Sequence, residues 1–395
     1  MSGRTVSTGL REGFTTGTAA AGAALAALTL LCEGRAPKRV EVALPPFLPS
    51  SSLGDASGAG THAVPVAACG AGAAPELGGG AAAAARLAHA AIRKDGGDDP
   101  DVTNGALITA TVIADRADTF LDLADEGFVR VRGGPGVGRV TLPGLPRPVG
   151  EAAINPVPLA QIRHTLVRYA ARLARRGVRC PPVTVVVSVP EGEKLASRTL
   201  NPRLGIVGGI SILGTHGTTR PFSHEAWRDT VKSALSVALS VNPGTVCLST
   251  GRRSEALLMK RYPALAPQNF IQVADFVEFS LSSAGSLPFG RIVWGCFFGK
   301  LLKLAQGMPS THANAGRLKF TNLARLCGKM GKAFAGSIGG CVTAAQALDM
   351  LLTRPDGMAV IEEVVAEAAG AASRFAGRAV ALHLFHTDGR ELCAL

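Results

Sequence analysis

The chain has few aromatic residues, 5% of its 395, and few charged ones, 18%. Its eight cysteines are scattered, and no Cys-x-x-Cys pair or Cys/His cluster has the spacing of a zinc site. Scattered cysteines in a long chain are usually reduced and buried, so we expect a cytoplasmic protein with no metal of its own. Since 47% of the residues are hydrophobic, wholesale disorder is excluded.

Long hydrophobic runs are missing as well. No stretch reaches the roughly 18 uninterrupted apolar residues that a membrane-spanning helix needs. Residues 18–31 come nearest, and they follow two arginines as an export signal would. However, Leu31 precedes Cys32, where signal processing needs a small side chain. We interpret the stretch as a buried helix, N-capped by a threonine of residues 15–18, and expect no membrane partner.

The charge is unbalanced, because 41 Lys and Arg against 29 Asp and Glu give a net charge of +12. The basic residues form no long block and aromatics are scarce, so the stacking platforms and basic stripes typical of nucleic-acid binding are missing. Dispersed positive charge suits a small ligand with many carboxylates at least as well. We expect such a ligand, no nucleic acid, and leave a homo-oligomer open.

The pattern of predicted strands and helices changes along the chain and predicts two domains. They are an α+β sandwich-like domain over residues 1–220 and a Rossmann-like α/β domain over residues 221–395. In the first, we predict a helix at 158–176, a surface excursion over the Pro/Gly/Ser-rich residues 45–80, and strands at 40–44, 63–67, 106–113, 128–131 and 183–189. In the second, we predict strands at 245–248, 270–273, 291–297 and 379–385, alternating with helices at 225–239, 253–260, 275–283, 299–306, 343–352 and 358–372. Such alternation indicates βαβ units and a parallel sheet covered on both faces.

Two polar stretches of the first half are candidate sites. Gly13-Phe-Thr-Thr-Gly-Thr18 opens the first helix, and it is either a plain N-cap or an anion site at the helix N-terminus. Residues 93–105 hold four carboxylates within seven residues, on Asp95, Asp98, Asp99 and Asp101. The segment is a turn whose like charges need a cationic partner, either Arg93 and Lys94 or a ligand.

Glycine-rich loops are the other candidates. Gly133-Gly-Pro-Gly-Val-Gly138 matches neither a dinucleotide-binding fingerprint nor a P-loop, and is either a tight hairpin or a ligand loop. Residues 201–217 hold five glycines in an apolar run, four of them between Arg203 and His216, which indicates close approach to a ligand or to another strand. His312 follows a predicted helix, where α/β sheets bring side chains to a crevice. These residues alone do not name a reaction.

Taken together and in order, the motifs resemble the CbiD family, the cobalt-precorrin-5B C(1)-methyltransferases of anaerobic cobalamin synthesis. The stretches that carry the resemblance are Gly13–Thr18, residues 94–102, Gly133–Gly138, Gly150-Glu-Ala-Ala-Ile-Asn-Pro156, residues 201–214, Gly299-Lys-Leu-Leu-Lys-Leu-Ala-Gln-Gly307 and Thr311-His312. The resemblance implies transfer of a methyl group from S-adenosylmethionine to ring carbon 1 of a tetrapyrrole with many carboxylates, whose cobalt arrives with the substrate. A corrinoid carrier without catalysis is the alternative.

We assign roles to the motif residues on this basis. His312, Asp98 and Asp101 are the candidates for handling protons or orienting the substrate. Thr15, Thr16, Arg203 and Lys300 are the candidates for binding it. The glycines expected to approach the cofactor closely are Gly133, Gly134, Gly136, Gly138, Gly205, Gly208 and Gly209.

The chain departs from the family pattern at four places. Ala19 stands where the family usually has Cys, and Asn104 stands where it usually has His. Residues 243–251 lack the Gly-Asn-x-Gly segment that commonly follows the Pro-Gly turn, and the insertion-like residues 45–80 are also unusual. No whole motif is lost, and the resemblance assigns no role to Ala19 or Asn104.

Overall fold

The computed structural model describes residues 9–47, 60–77, 86–115, 126–312, 316 and 318–395. Contacts divide the chain into two units, Met1–Ser223 and His224–Leu395. Both units combine helices with sheets, so the protein is of a mixed α/β class. Of the predicted excursion at 45–80, residues 48–59 and 78–80 lie outside the described residues.

Helix α1 (Thr16–Glu33) lies at the centre of the first unit. Thr15 caps it by accepting a hydrogen bond from the Thr18 N–H at 3.2 Å, and Gly34 ends it at φ +68°. The helix is long and apolar enough to cross a membrane by length and composition, but every residue from its first to Thr29 is buried within the unit. The expected N-capped core helix is confirmed. Its alanines let it pack closely against the main sheet and a second long helix.

The main sheet of the first unit has five strands in the order β4-β5-β6-β10-β7, and the unit also contains short two-stranded sheets. The strands of the unit are β1 (Gly13–Phe14), β2 (Arg39–Ala43), β3 (Thr61–Pro65), β4 (Ala68–Ala71), β5 (Leu87–Arg93), β6 (Leu107–Ala114), β7 (Val129–Gly133), β8 (Gly136–Val137), β9 (Arg139–Val140), β10 (Val183–Ser188), β11 (Ile206–Val207), β12 (Gly209–Ile210) and β13 (Thr218–Thr219). Its other helices are α2 (Pro156–Arg175) and α3 (Gly192–Ala196).

Two details of the first unit differ from the sequence predictions. The strand expected at 63–67 is present as β3, shifted by two residues and paired with β2, but it is followed by β4, which was not predicted and joins the main sheet. Strand β5 was not predicted, since its alanines and histidine give little β-propensity. Its burial between β4 and β6 and under α1 overrides that weak local preference.

The second unit is built on one sheet in the order β15-β14-β16-β17-β18, in which the first four strands run parallel and β18 is antiparallel. Its strands are β14 (Thr245–Ser249), β15 (Phe270–Gln272), β16 (Arg291–Phe297), β17 (Val380–Phe385) and β18 (Glu391–Ala394). Its helices are α4 (His224–Val241), α5 (Arg252–Arg261), α6 (Val277–Gly285), α7 (Phe298–Ala305), α8 (Thr321–Leu326), α9 (Lys332–Gly339), α10 (Ala344–Leu352) and α11 (Gly357–Ala376).

Helices cover both faces of this sheet, as predicted. Alternate strand residues such as Leu248 and Trp294 pack in one core with α4, α6, α7 and α11. Their neighbours Cys247 and Val293 pack on the opposite face with Leu258 of α5. The strand predicted at 379–385 is present as β17, but the chain does not close with it, because β18 turns back along it. The short helices α8 and α9 lie in a stretch expected to be helical, but no bounds were predicted for them.

Candidate functional site

The acidic segment 93–105 folds against the residues that precede α1. Asp95 forms an ion pair with the Arg11 guanidinium, with Nη2 and Oδ1 2.9 Å apart, and Asp98 Oδ2 accepts the Arg11 backbone N–H at 2.7 Å. The hydrogen bond from Arg11 is the main cause that holds the pKa of Asp95 below its usual value. Arg11 therefore supplies part of the positive charge that offsets these carboxylates, and the sequence did not suggest it. Arg93 instead donates to the Gly105 carbonyl.

Lys94 supplies the rest of the positive charge. Its side chain is only 2% exposed, and its ammonium lies 2.5 Å from Asp101 Oδ2. Asp101 also accepts the Thr103 hydroxyl at 2.6 Å and the Thr103 N–H at 2.9 Å. Burial acts to raise the pKa of Asp101, but the Lys94 charge and these hydrogen bonds outweigh it and lower the pKa. At neutral pH Asp101 is an ionised acceptor, suited to orienting a group and not to donating a proton.

The hydroxyls that open α1 are bonded within the first unit. Thr16 Oγ1 donates to the Leu213 carbonyl at 3.1 Å and accepts the Leu213 N–H at 2.9 Å. The Leu213 carbonyl also accepts the Gly17 N–H, and Thr18 Oγ1 donates to the Gly217 carbonyl at 2.7 Å. The chain's own carbonyls thus lie at this helix N-terminus, so the N-cap alternative is the one observed. Direct substrate contacts by Thr15 and Thr16 stay predictions.

The two glycine-rich loops of the first unit pack against each other. Strand β8 pairs in parallel with β12, which sets Gly136 opposite Gly209, and β9 pairs with β11. A Cβ on Gly209 would lie 2.1 Å from the Gly136 carbonyl oxygen, and one on Gly136 would lie 1.8 Å from that of Val189. Of the alternatives left by the sequence, close approach to another strand is therefore present here.

Most of the other predicted cofactor glycines are equally enclosed. An added Cβ would lie 2.3–2.6 Å from an atom of this chain at four more of them. The pairs are Gly133 with Ala152, Gly134 with Ser188, Gly138 with Ile206 and Gly205 with Leu142. Gly208 differs, because it is exposed, has φ +76° and would meet no atom within 4 Å. At six of the seven glycines, the side on which a Cβ would stand is thus filled by atoms of this chain. Their cofactor role stays a prediction, and Gly208 has the open space for it.

Arg203 lies beside these loops. It belongs to the 3₁₀ turn Asn201–Leu204 and is half-buried. The turn is fixed by Asn201, whose buried amide donates to the Gly209 carbonyl at 3.2 Å and accepts the Ser211 hydroxyl at 3.3 Å. Arg203 is therefore held on a rigid support, as a side chain that positions an anionic ligand should be.

A separate charged cluster lies in the second unit, at the carboxyl ends of its parallel strands. Lys300, in the first turn of α7, forms an ion pair with Asp275 and donates to the Thr311 carbonyl at 3.0 Å. The Thr311 hydroxyl donates to Asp275 Oδ1 at 2.7 Å. Burial acts to raise the pKa of Asp275, but the hydrogen bonds from Lys300 and Thr311 outweigh it and lower the pKa.

Lys303 lies one helical turn beyond Lys300 and is 9% exposed. Its ammonium donates to the carbonyls of Thr311 at 3.2 Å and His312 at 2.7 Å. In the described ranges no carboxylate oxygen lies within 4.0 Å of that ammonium. His312 is exposed, and its N–H donates to Ser310 Oγ at 3.3 Å. Lys303 therefore fixes the backbone that carries His312.

The structure thus brings Lys300 and His312 into one cluster of the second unit, together with Asp275 and Lys303, which sequence reasoning missed. Both could have been found from the sequence. Asp275 follows a predicted strand, and Lys303 lies three residues after Lys300 in the same Gly299–Gly307 motif. Thr15, Thr16, Asp98, Asp101, Arg203 and the predicted cofactor glycines all belong to the first unit.

Fold and charge together define a mixed α/β protein with clusters suited to a ligand that carries carboxylates. The CbiD family model matches residues 4–221. A cobalt-precorrin-5B C(1)-methyltransferase of Nitratidesulfovibrio vulgaris (strain Hildenborough) is 46% identical over 389 residues, which is 97% of this chain and 92% of that protein. With more than half of the chain matched by the family model and nearly all of it by this relative, the chain belongs to the CbiD family.

Two further matches extend the comparison. A protein of Geobacillus kaustophilus with the same name is 41% identical and covers 87% of this chain and 82% of its own length. The 1.9 Å crystal structure of the cobalamin biosynthesis protein cbiD from Archaeoglobus fulgidus is 26% identical, covers 75% of this chain and 79% of its own, and superposes with a TM-score of 0.37.

Proposed function

We propose that the chain is a methyltransferase that methylates ring carbon 1 of cobalt-precorrin-5B, giving cobalt-precorrin-6A in anaerobic cobalamin biosynthesis, with S-adenosylmethionine as the methyl donor. The observation that carries the proposal is 46% identity to a protein of that name along 97% of the chain, through both units. The net charge of +12 supports it, because the substrate carries several carboxylates.

When bound, S-adenosylmethionine supplies an electrophilic methyl group, whose bond to sulfur breaks as the bond to the ring carbon forms. The nucleophile belongs to the macrocycle, so this chain needs no ionised nucleophile of its own. Its residues contribute by holding the two reactants in line, which supplies much of the rate of such a displacement. Positioning groups on rigid supports are therefore the residues that matter most.

We assign the positioning of carboxylates to Arg203 and Lys300, one in each unit. Arg203, on its fixed turn, would meet the tetrapyrrole, and Lys300 would meet a ligand carboxylate beside Asp275. His312 is the candidate for accepting or donating a proton, because it is exposed and its backbone is held by Lys303. Asp98 and Asp101 are candidates for orienting the substrate as acceptors.

We propose further that the first unit is an α+β domain and the second a Rossmann-like one, with the border near residue 221. The order of the parallel strands, numbered along the second unit, is 2-1-3-4, with the antiparallel fifth strand after them. This is one of the common doubly wound orders. We also keep as predictions that the protein is cytoplasmic and that the only metal involved is the substrate's cobalt.

Methyl transfer itself tests the proposal. Purified protein is incubated with cobalt-precorrin-5B and S-adenosylmethionine labelled in the methyl group, and the tetrapyrrole is analysed by mass spectrometry. We expect a product heavier by one labelled methyl at carbon 1, and none with heat-denatured protein. Tight binding of the precursor without transfer, under conditions where a related family member transfers, would instead indicate a carrier.

A further inference from the structure

The sheet of the second unit has a point where the direction of strand progression reverses. Strand β14 is flanked by β15 on one side and β16 on the other, and all three run parallel. The connection through α5 packs on one face and the later helix α6 on the other. In α/β sheets, ligands bind outside the carboxyl ends of the strands at such a point.

Charged side chains meet across this point. Asp275 lies three residues after β15 ends, and Lys300 lies three residues after β16 ends. The two strands are separated by β14 and so lie roughly 10 Å apart. The ion pair between Asp275 and Lys300 therefore spans the carboxyl end of β14. Their side chains are 26% and 33% exposed, so solvent and ligands can reach both.

This cluster holds more positive than negative charge. The ammonium groups of Lys300 and Lys303 share the Thr311 carbonyl, while Asp275 is the carboxylate paired within the cluster. Lys303 is nearly buried, and carbonyl dipoles stabilise its charge less than a carboxylate would. An added carboxylate beside Lys300 would balance the excess.

The turn after β14 leaves room for a ligand. Gly251, between β14 and α5, has an extended backbone with φ 172°, which any residue can adopt, and a Cβ there would meet no atom within 4 Å. The predicted cofactor glycines of the first unit, apart from Gly208, would all place a Cβ against this chain's own atoms. Open space beside a glycine thus coincides here with a reversal in strand order and with unbalanced charge.

We infer that the methyl donor binds at this edge of the second unit, with its nucleoside beside Gly251 and its amino-acid carboxylate on Lys300. The inference rests on the proposed function, since that function makes the donor a nucleoside joined to an amino acid. Lys303 adds positive charge behind Lys300, and Asp275 accepts a hydrogen bond from the donor's ammonium or hydroxyl groups. Lys300 then serves the donor and not the tetrapyrrole.

A matched pair of substitutions tests the location. Gly251→Asn fills the space at the β14 turn while keeping a residue that is favoured as an N-cap. Gly377→Asn, the matched control, places the same side chain after α11, where φ is +68°, a Cβ would meet no atom within 4 Å and asparagine is tolerated. Binding of S-adenosylhomocysteine to the full chain is measured by calorimetry, and folding is checked by circular dichroism. We expect Gly251→Asn to weaken binding about tenfold or more, a loss of about 1.4 kcal/mol, and Gly377→Asn to leave it within twofold.

A second experiment tests whether Lys300 binds the carboxylate of the methyl donor or a carboxylate of the tetrapyrrole. Lys300→Met should weaken the binding of S-adenosylhomocysteine. It should not change the affinity for 5′-methylthioadenosine, which lacks the amino-acid part, or for uroporphyrin III, a tetrapyrrole with eight carboxylates.

The inference is overturned if Gly251→Asn binds S-adenosylhomocysteine within twofold of the wild type, or if Lys300→Met weakens only the binding of uroporphyrin. Either result leaves the methyl-transfer assay, and with it the proposed function, standing. No binding of S-adenosylhomocysteine by the wild type in calorimetry, with or without the tetrapyrrole, overturns the inference, whereas absence of methyl transfer overturns the function.

Discussion

Two lysines are buried among the residues that the structure describes, and their surroundings differ. Lys94 in the first unit is 2% exposed and is matched by Asp101, so its charge is balanced. Lys303 in the second unit is 9% exposed, and its ammonium donates to two backbone carbonyls. The neighbouring carboxylate, Asp275, forms its ion pair with Lys300 instead. The first arrangement is complete without a ligand, and the second is not. A buried charge thus indicates function chiefly where its counter-charge is missing.

The largest effect expected from this comparison concerns His312. Because its backbone is fixed by Lys303 in the unbalanced cluster, His312→Ala should lower single-turnover methyl transfer by about 10²–10⁴-fold, as removal of a general acid or base does. Its exposed side chain should contribute little to stability. The matched control is His216→Ala, which removes an exposed histidine of the first unit. Near-full turnover by His312→Ala would assign that histidine a structural role.

Removing the carboxylate of the Lys94–Asp101 ion pair should instead lower the stability of the fold. Asp101→Asn leaves Lys94 buried without its counter-charge, and we expect the free energy of unfolding to fall by about 3 kcal/mol, at the low end for buried pairs because Asp101 is partly exposed. Urea unfolding measures the change.

The dependence on pH gives this prediction a second signature. Since the pKa of Asp101 is lowered in the folded state, its contribution is fully present above the unfolded value of about 3.9 and is lost as pH falls through the folded value. Wild type and Asp101→Asn should therefore converge in acid. Unchanged stability with lost turnover would instead support Asp101 as a catalytic residue.

The same comparison shows what the sequence can predict. The parallel sheet of the second unit follows from local patterns, because strand and helix periods alternate and each element carries its own apolar face. The charged cluster does not, because Asp275, Lys300 and Thr311 lie 11 to 36 residues apart and meet only through the strand order.

Glycines make the limit plainer still. Gly136 and Gly251 each lie two or three residues after the end of a buried-sheet strand, yet one is enclosed by the Val189 carbonyl and the other faces open space. Only the contacts of distant segments distinguish them. In the first unit, likewise, Arg11 and Asp95 are 84 residues apart, and no spacing rule joins them.

A smaller effect should separate the enclosed glycines from the open one. Gly136→Ala and Gly208→Ala share the cost of a left-handed backbone, with φ +73° and +76°, so their difference isolates the contact with the Val189 carbonyl. We expect Gly136→Ala to be less stable than Gly208→Ala by about 1–3 kcal/mol in urea unfolding, the usual cost of overpacking. Equal stabilities would show that the loops can separate to admit a side chain, or a ligand.

The smallest change in stability should come from Lys303→Met, and this variant tests the comparison most directly. The substitution removes two hydrogen bonds to carbonyls, worth about 1 kcal/mol each, but also removes a buried charge whose desolvation costs several kcal/mol. The Thr311 carbonyl keeps its bond from Lys300, and the exposed His312 can be hydrated. We therefore expect the free energy of unfolding to change by less than about 1 kcal/mol. Lys329→Met, at a side chain 83% exposed, is the control for loss of a surface lysine. A loss as large as that of Asp101→Asn would mean that Lys303 is balanced after all, and the contrast between the two buried lysines would fail.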